Sequence, residues 1–211
     1  SMNDNPIAWL EVTDICNIYC EGCYRQHLTG HKPLEQVKEE ILFFKQWRNK
    51  QWRNPDNVSI AGGEPLIHPD IVDIVAFIAE NDMKPIILTN AVALTPQVLK
   101  ELRRAGLAGF TIHIDSHQER PKWRGKTEKD LNELRQHCAD LVAAEPGVYV
   151  IFNSTVYPST YREIPDVVRW GQANIDRVHG LVFITYRTAT TEDNIALHGD
   201  REVDLAKLSY T

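Results

Sequence analysis

Short runs of β-branched and other apolar residues alternate with stretches of helical spacing along most of the chain. The pattern predicts strands at Ile7–Thr13, Asn57–Ala61, Pro85–Thr89, Gly109–Asp115, Val148–Val156 and Val178–Tyr186. Between them, Leu34, Val37, Ile41 and Phe44 recur at helical intervals, as do Ile71, Ile74, Val75 and Ile78. Thr95-Pro96 reads as an N-cap with proline at the first helical position, and Gly106 as the stop. Leu131, Leu134, Cys138, Leu141 and Val142 form another apolar stripe. Thr160 and Glu163 have the spacing of a capping box ahead of Ile164, Val167 and Val168.

Strands alternating with helices imply a parallel sheet with right-handed crossovers. Six such units are fewer than the eight of a closed barrel, so the expected fold is α/β, an open partial (β/α)6 barrel. Ligands then belong at the C-terminal ends of the strands. After Arg187 the pattern fades: Thr188–Asp200 reads as a polar loop and Arg201–Tyr210 as a weak last helix. The expectation is one domain over residues 1–211. Residues 1–6 then form a tag remnant and N-terminal arm, and residues 188–211 a tail that a truncated or minimal form would leave. A short repeat, Gln46-Trp47-Arg48-Asn49 and Gln51-Trp52-Arg53-Asn54, reads first as a basic helix end and second as a docking patch.

Composition narrows the functions. The formal charge of −6 argues against broad, non-specific nucleic-acid binding, which needs a basic surface. No apolar run reaches the roughly 20 residues of a membrane span. The opening residues carry no signal-peptide pattern, and the expected location is the cytoplasm. The chain has four cysteines, too few for a disulfide scaffold at this length, and three of them lie together.

Those three form Cys16-x3-Cys20-x2-Cys23, directly after the first strand. A loop leaving a strand can wrap three thiolates around a cubane iron–sulfur cluster. One iron is then left without a protein ligand, whereas electron-transfer clusters normally use four cysteines. Zinc on Cys16, Cys20, Cys23 and His27 is the rival reading. Cys138 sits in a helical stripe and is expected to be a buried hydrophobe outside the metal site. After the second strand comes Gly62-Gly63-Glu64-Pro65. Its glycines admit close backbone approach, Glu64 is a carboxylate suited to an ammonium group, and Pro65 stiffens the exit.

Together, the three-cysteine motif and the Gly-Gly-Glu-Pro motif resemble the radical S-adenosylmethionine (SAM) superfamily, over about Ile7 to Arg187. The resemblance implies an enzyme with a [4Fe–4S] cluster on Cys16, Cys20 and Cys23. SAM chelates the open iron, and its reductive cleavage gives a 5′-deoxyadenosyl radical that abstracts a substrate hydrogen. It further implies SAM contacts at Gly62, Gly63, Glu64 and Pro65, and at Asn90, Asp115 and Asn153 on the ends of strands three, four and five. Glu64→Ala is then expected to weaken SAM binding and spare iron content. An aromatic that the family commonly has before the third cysteine is replaced by Gly22, so Tyr24 is the expected substitute beside the adenine. Partners implied are an unidentified substrate and a low-potential donor such as flavodoxin or ferredoxin. A domain that binds cluster and SAM without independent catalysis is the alternative. His113, Thr185 and Arg187 fall on the same polar strand faces. The basic loop Arg120-Pro121-Lys122-Trp123-Arg124-Gly125-Lys126 is expected to cover the barrel mouth and meet an anionic part of the substrate.

Overall fold

The computed structural model describes residues 7–21, 23, 30–46, 56–186, 195–198 and 201–204. Its elements run β1 (Ile7–Thr13), α1 (Leu34–Gln46), β2 (Asn57–Gly62), α2 (Ile71–Glu80), β3 (Lys84–Thr89), α3 (Pro96–Arg104) and β4 (Gly109–His113). They continue with α4 (Asn132–Ala143), β5 (Tyr149–Val156), α5 (Ile164–Ala173), β6 (Gly180–Thr185), β7 (Ile195–His198) and β8 (Arg201–Asp204). The first six strands pair in sequence order, all parallel, from β1 to β6. The sheet is open, as expected for a partial (β/α)6 barrel.

Strand alternation divides the sheet into two faces. Leu10 and Val12, Val58 and Ile60, Ile87, Phe110 and Ile112, and Val150 and Phe152 are buried with Val37, Ile41, Ile74, Ile78, Leu99, Leu102, Cys138 and Val142 of the helices. That layer is the core. The opposite face carries Trp9, Ser59, Ile86, Gly109 and Tyr149 in one row of register partners, with His113, Asn153 and Val182 in a row nearer the strand ends.

The local signals behave unevenly. Thr95 caps α3, its Oγ1 accepting from the Val98 amide at 3.2 Å, and Gly106 follows the helix at φ +100°. The capping box at Thr160 does not form. Thr160 Oγ1 accepts instead from the Tyr157 amide, and the Glu163 carboxylate accepts from the Glu128 amide. A preceding turn amide and a distant amide take up the two side chains there. The tail is also corrected: β7 and β8 pair antiparallel, so Arg201–Asp204 is a strand and not a helix. Four-residue runs flanking Gly199-Asp200 carry hairpin spacing that the helical reading overlooked. The repeat's residues 47–54 lie outside the described residues, as does Arg187.

Candidate functional site

The cysteine loop leaves β1 and is fastened at its start to the end of β2. Gly63 N–H donates to Thr13 O (2.7 Å) and Glu64 N–H to Ile15 O (2.8 Å). A Cβ on Gly62 would overlap Thr13 O, and one on Gly63 would overlap Ile15 O. Gly62 also stands at φ +132°. The two glycines are therefore required by the cysteine loop's own backbone. Sequence reasoning assigned them only to ligand approach.

Glu64 is fully buried. Its Oε1 accepts from Thr89 Oγ1 (2.6 Å) and the Leu66 amide (2.9 Å), and its Oε2 from the Asn90 amide (2.7 Å). Pro65 opens a short 3-10 turn over Pro65–Ile67, which Glu64 caps. Burial pushes the Glu64 carboxyl up, opposed by the Thr89, Asn90 and Leu66 donors. Asn90 passes this linkage on: its Nδ2 donates to Asn17 Oδ1 at 2.7 Å and lies 3.7 Å from Cys16 Sγ. Cys16, Gly62–Pro65 and Asn90 thus form one hydrogen-bonded body.

The far side of the loop is held by the segment after β4. Cys20 and Gln118 form an antiparallel bridge, Glu21 N–H donates to His117 O (2.9 Å) and Glu119 N–H to Tyr19 O (2.8 Å). Tyr157 Oη adds a bond to Glu21 O (2.8 Å) while its ring stacks on His117 at a centroid distance of 3.7 Å. Asp115 anchors that segment. It accepts from the His117 and Thr155 amides, and its Oδ2 lies 2.8 Å from His113 Nε2. Burial works against the Asp115 carboxylate, but the His113 contact and the backbone donors outweigh it and hold its pKa low. Beneath the segment lies an ion pair with both side chains fully buried, Glu128 with Arg135 at 2.5 Å. Glu128 also accepts from the Ser116 amide (2.6 Å), and Arg135 donates to Ile114 O (3.0 Å).

Cys16 and Cys20 are half-buried and Cys23 is exposed, all three as free thiols. Burial, then the Asp115 charge, pushes Cys20 up to about 12, and burial also raises Cys16. Thiolates in such surroundings call for a cationic partner. Among the described residues no three His, Cys, Asp or Glu side chains converge on a point fit for one ion. Three thiols spread along one loop are a donor set for the separate corners of a cluster. Asn153 Oδ1 on β5 is buried without a hydrogen-bond partner among the described residues, an acceptor suited to a ligand donor. The thiols and this acceptor fit an iron–sulfur cluster and a polar ligand. Gly22, Tyr24 and His27 lie outside the described residues.

Gln118 and Arg120 are among the features that escaped the sequence. Gln118 is buried and serves both the cysteine bridge and the end of β4. Arg120 is 3% exposed, which corrects its expected place on a loop covering the barrel mouth. Lys122, Arg124 and Lys126 do remain exposed. Cys138 is buried in the core layer, as its stripe indicated.

An open parallel sheet with a three-cysteine loop at its strand ends defines the class, and comparison with known proteins agrees. The family model described as the radical SAM superfamily matches residues 10–171, and the chain belongs to that family. It is a family of SAM and an iron–sulfur cluster. The chain is 27% identical over 213 residues to a GTP 3′,8-cyclase of Geobacter sulfurreducens, covering 95% of this chain and 62% of that protein. It is 25% identical over 186 residues to a 7,8-dihydro-6-hydroxymethylpterin dimethyltransferase of Methanocaldococcus jannaschii, covering 84% of this chain and 35% of that protein. The chain thus spans less than two thirds of either relative. Streptococcus suis SuiB bound to S-adenosylmethionine shares the fold at a TM-score of 0.66 and 17% identity, over 88% of this chain and 42% of SuiB. No helix among the described residues is long and apolar enough to cross a membrane.

Proposed function

We propose that this chain is a radical SAM enzyme holding a [4Fe–4S] cluster on Cys16, Cys20 and Cys23, with SAM at the iron those thiolates leave open. The observation that carries the reading is the fastening of the three-cysteine loop across the C-terminal strand ends, by Gly62–Glu64 on one side and Gln118 on the other. When bound, the cluster would supply an electron to the sulfonium of SAM, and the resulting 5′-deoxyadenosyl radical would take a hydrogen from substrate.

The chain's own residues bind and orient. Gly62 and Gly63 hold the backbone of the cysteine loop, and the side chain of Asn90 borders that loop at Cys16. Glu64 and Pro65 fix that border. Asp115 sets the segment that carries Gln118, and Asn153 offers its free acceptor. The adenine contact is assigned to Tyr24 in this reading. A single core domain, a low-potential donor such as flavodoxin or ferredoxin, and a cytoplasmic setting that keeps the thiols reduced complete the proposal. The substrate is unidentified.

The test is metal analysis of anaerobically prepared protein. About four irons with matching labile sulfide per chain, lost in Cys20→Ala, are expected. One zinc per chain without sulfide would overturn the reading.

A further inference from the structure

Arg120 is a buried cation with no ion-paired carboxylate among the described residues. Its residue is 3% exposed, yet its guanidinium forms no ion pair with any carboxylate of the described residues. Nε donates to Gln118 Oε1 (2.7 Å) and Nη2 to His113 O (2.5 Å), both neutral acceptors. Burying an unpaired charge is costly, and such groups normally have an ionic partner. Burial holds the Arg120 pKa below its usual value, with the Cys138, Cys20, Asp115 and Glu64 groups close enough to act on it. Asp115 and Glu64 act on it without an ion pair, their oxygens being bonded to His113 and two amides and to Thr89, Leu66 and Asn90. Cys138 lies in the core layer outside the cysteine loop, so of these two thiols ligation of the proposed cluster would make a thiolate only of Cys20.

The neighbour that belongs to the cysteine loop is Cys20. Gln118 joins the two: its backbone bridges Cys20 and its side chain accepts from Arg120. A cluster on three thiolates is anionic and gains one more negative charge on reduction. A desolvated cation beside it favours the reduced form more than the oxidised one.

We propose that Arg120 is the buried counter-charge of the cluster at its Cys20 corner, and that it raises the cluster's reduction potential toward the reach of its electron donor. The inference rests on the proposed cluster. One electron enters the cluster in the step concerned, and no proton or group is transferred. Arg120 is thus a tuning residue and need not touch substrate.

The experiment uses the full chain, anaerobically reconstituted and free of SAM, with cluster reduction followed by EPR at poised potentials. Arg120→Met should keep wild-type iron content and shift the reduction equilibrium at least tenfold toward the oxidised form, a 59 mV fall in midpoint. Arg120→Lys, which keeps the charge, should shift it much less. Iron-free Arg120→Met should unfold in urea at no lower concentration than wild type, since it removes a charge that is unpaired in that state. An unchanged midpoint with full iron would overturn the proposal. So would a lowered urea midpoint, which would make Arg120 a strut. Weakened SAM affinity at an unchanged midpoint would reassign the guanidinium to SAM. A wild-type chain that takes up no cluster would instead defeat the proposed function itself.

Discussion

Replacing Glu64 by glutamine tests whether its carboxylate holds the ends of β2 and β3 together. The substitution keeps size and shape but exchanges one acceptor oxygen for an NH2 donor. Three donors converge on the native carboxylate, from Thr89, Leu66 and Asn90. The less costly orientation keeps the oxygen toward Thr89 and Leu66 and turns the NH2 toward the Asn90 amide. One backbone N–H is then buried without an acceptor, at about 1–3 kcal/mol. Relief of the desolvation that raises the Glu64 pKa offsets part of this. The net expectation is a loss of about 1–2 kcal/mol, or roughly 2–8 °C in Tm for a chain of this size. Glu64→Ala strands all three donors and should cost about 3 kcal/mol or more. It should also lower iron loading, because Asn90 sits between Glu64 and Cys16. The assay is urea unfolding of the iron-free protein, with iron content measured separately after reconstitution. A glutamine variant within about 0.5 kcal/mol of wild type would refute the strut. So would Glu64→Ala with full stability and full iron, which would return Glu64 to a ligand role alone.

Arg135→Met leaves Glu128 charged without its cation in a fully buried site, and should cost about 3–5 kcal/mol in urea unfolding. Cys138→Ala should keep iron and lose about 1 kcal/mol, while Cys20→Ala should lose the cluster; equal iron loss in both would indicate a four-cysteine site. Asp115 has a depressed folded pKa, so its contribution is present above the ordinary aspartate value of ~3.9 and is lost as pH falls through the folded value. Acid unfolding of Asp115→Asn should therefore lack part of the wild-type fall in stability below about pH 4, and an identical acid limb would contradict this.

The sheet was legible because its signal is periodic. Buried strands such as Val58–Ala61 and Ile86–Ile87 read as apolar runs whichever face they present, and the observed bounds differ from the expected ones by a few residues. Gly109–Asp115 shows the limit: pairing stops at His113, and Asp115 turns its carboxylate to the next loop. The cysteine motif was legible because its chemistry is local in sequence. What escaped depends on distant partners. Arg120 and Arg135 look like surface cations in a polar stretch, but the end of β4 and Glu128 draw them inside. Glu64 reads as a ligand-facing carboxylate until Thr89 and Asn90, some 25 residues on, supply its donors. The β7–β8 hairpin was missed because a four-residue run carries too little periodicity to outweigh a helical reading.

The most direct measurement of the central claim is 5′-deoxyadenosine release in a single turnover, from the anaerobically reconstituted chain with dithionite and SAM. The account predicts stoichiometric release by wild type and none by Cys20→Ala. Tight SAM binding to an intact cluster with no 5′-deoxyadenosine formed would contradict it, and would leave a cluster- and SAM-binding module in place of an enzyme.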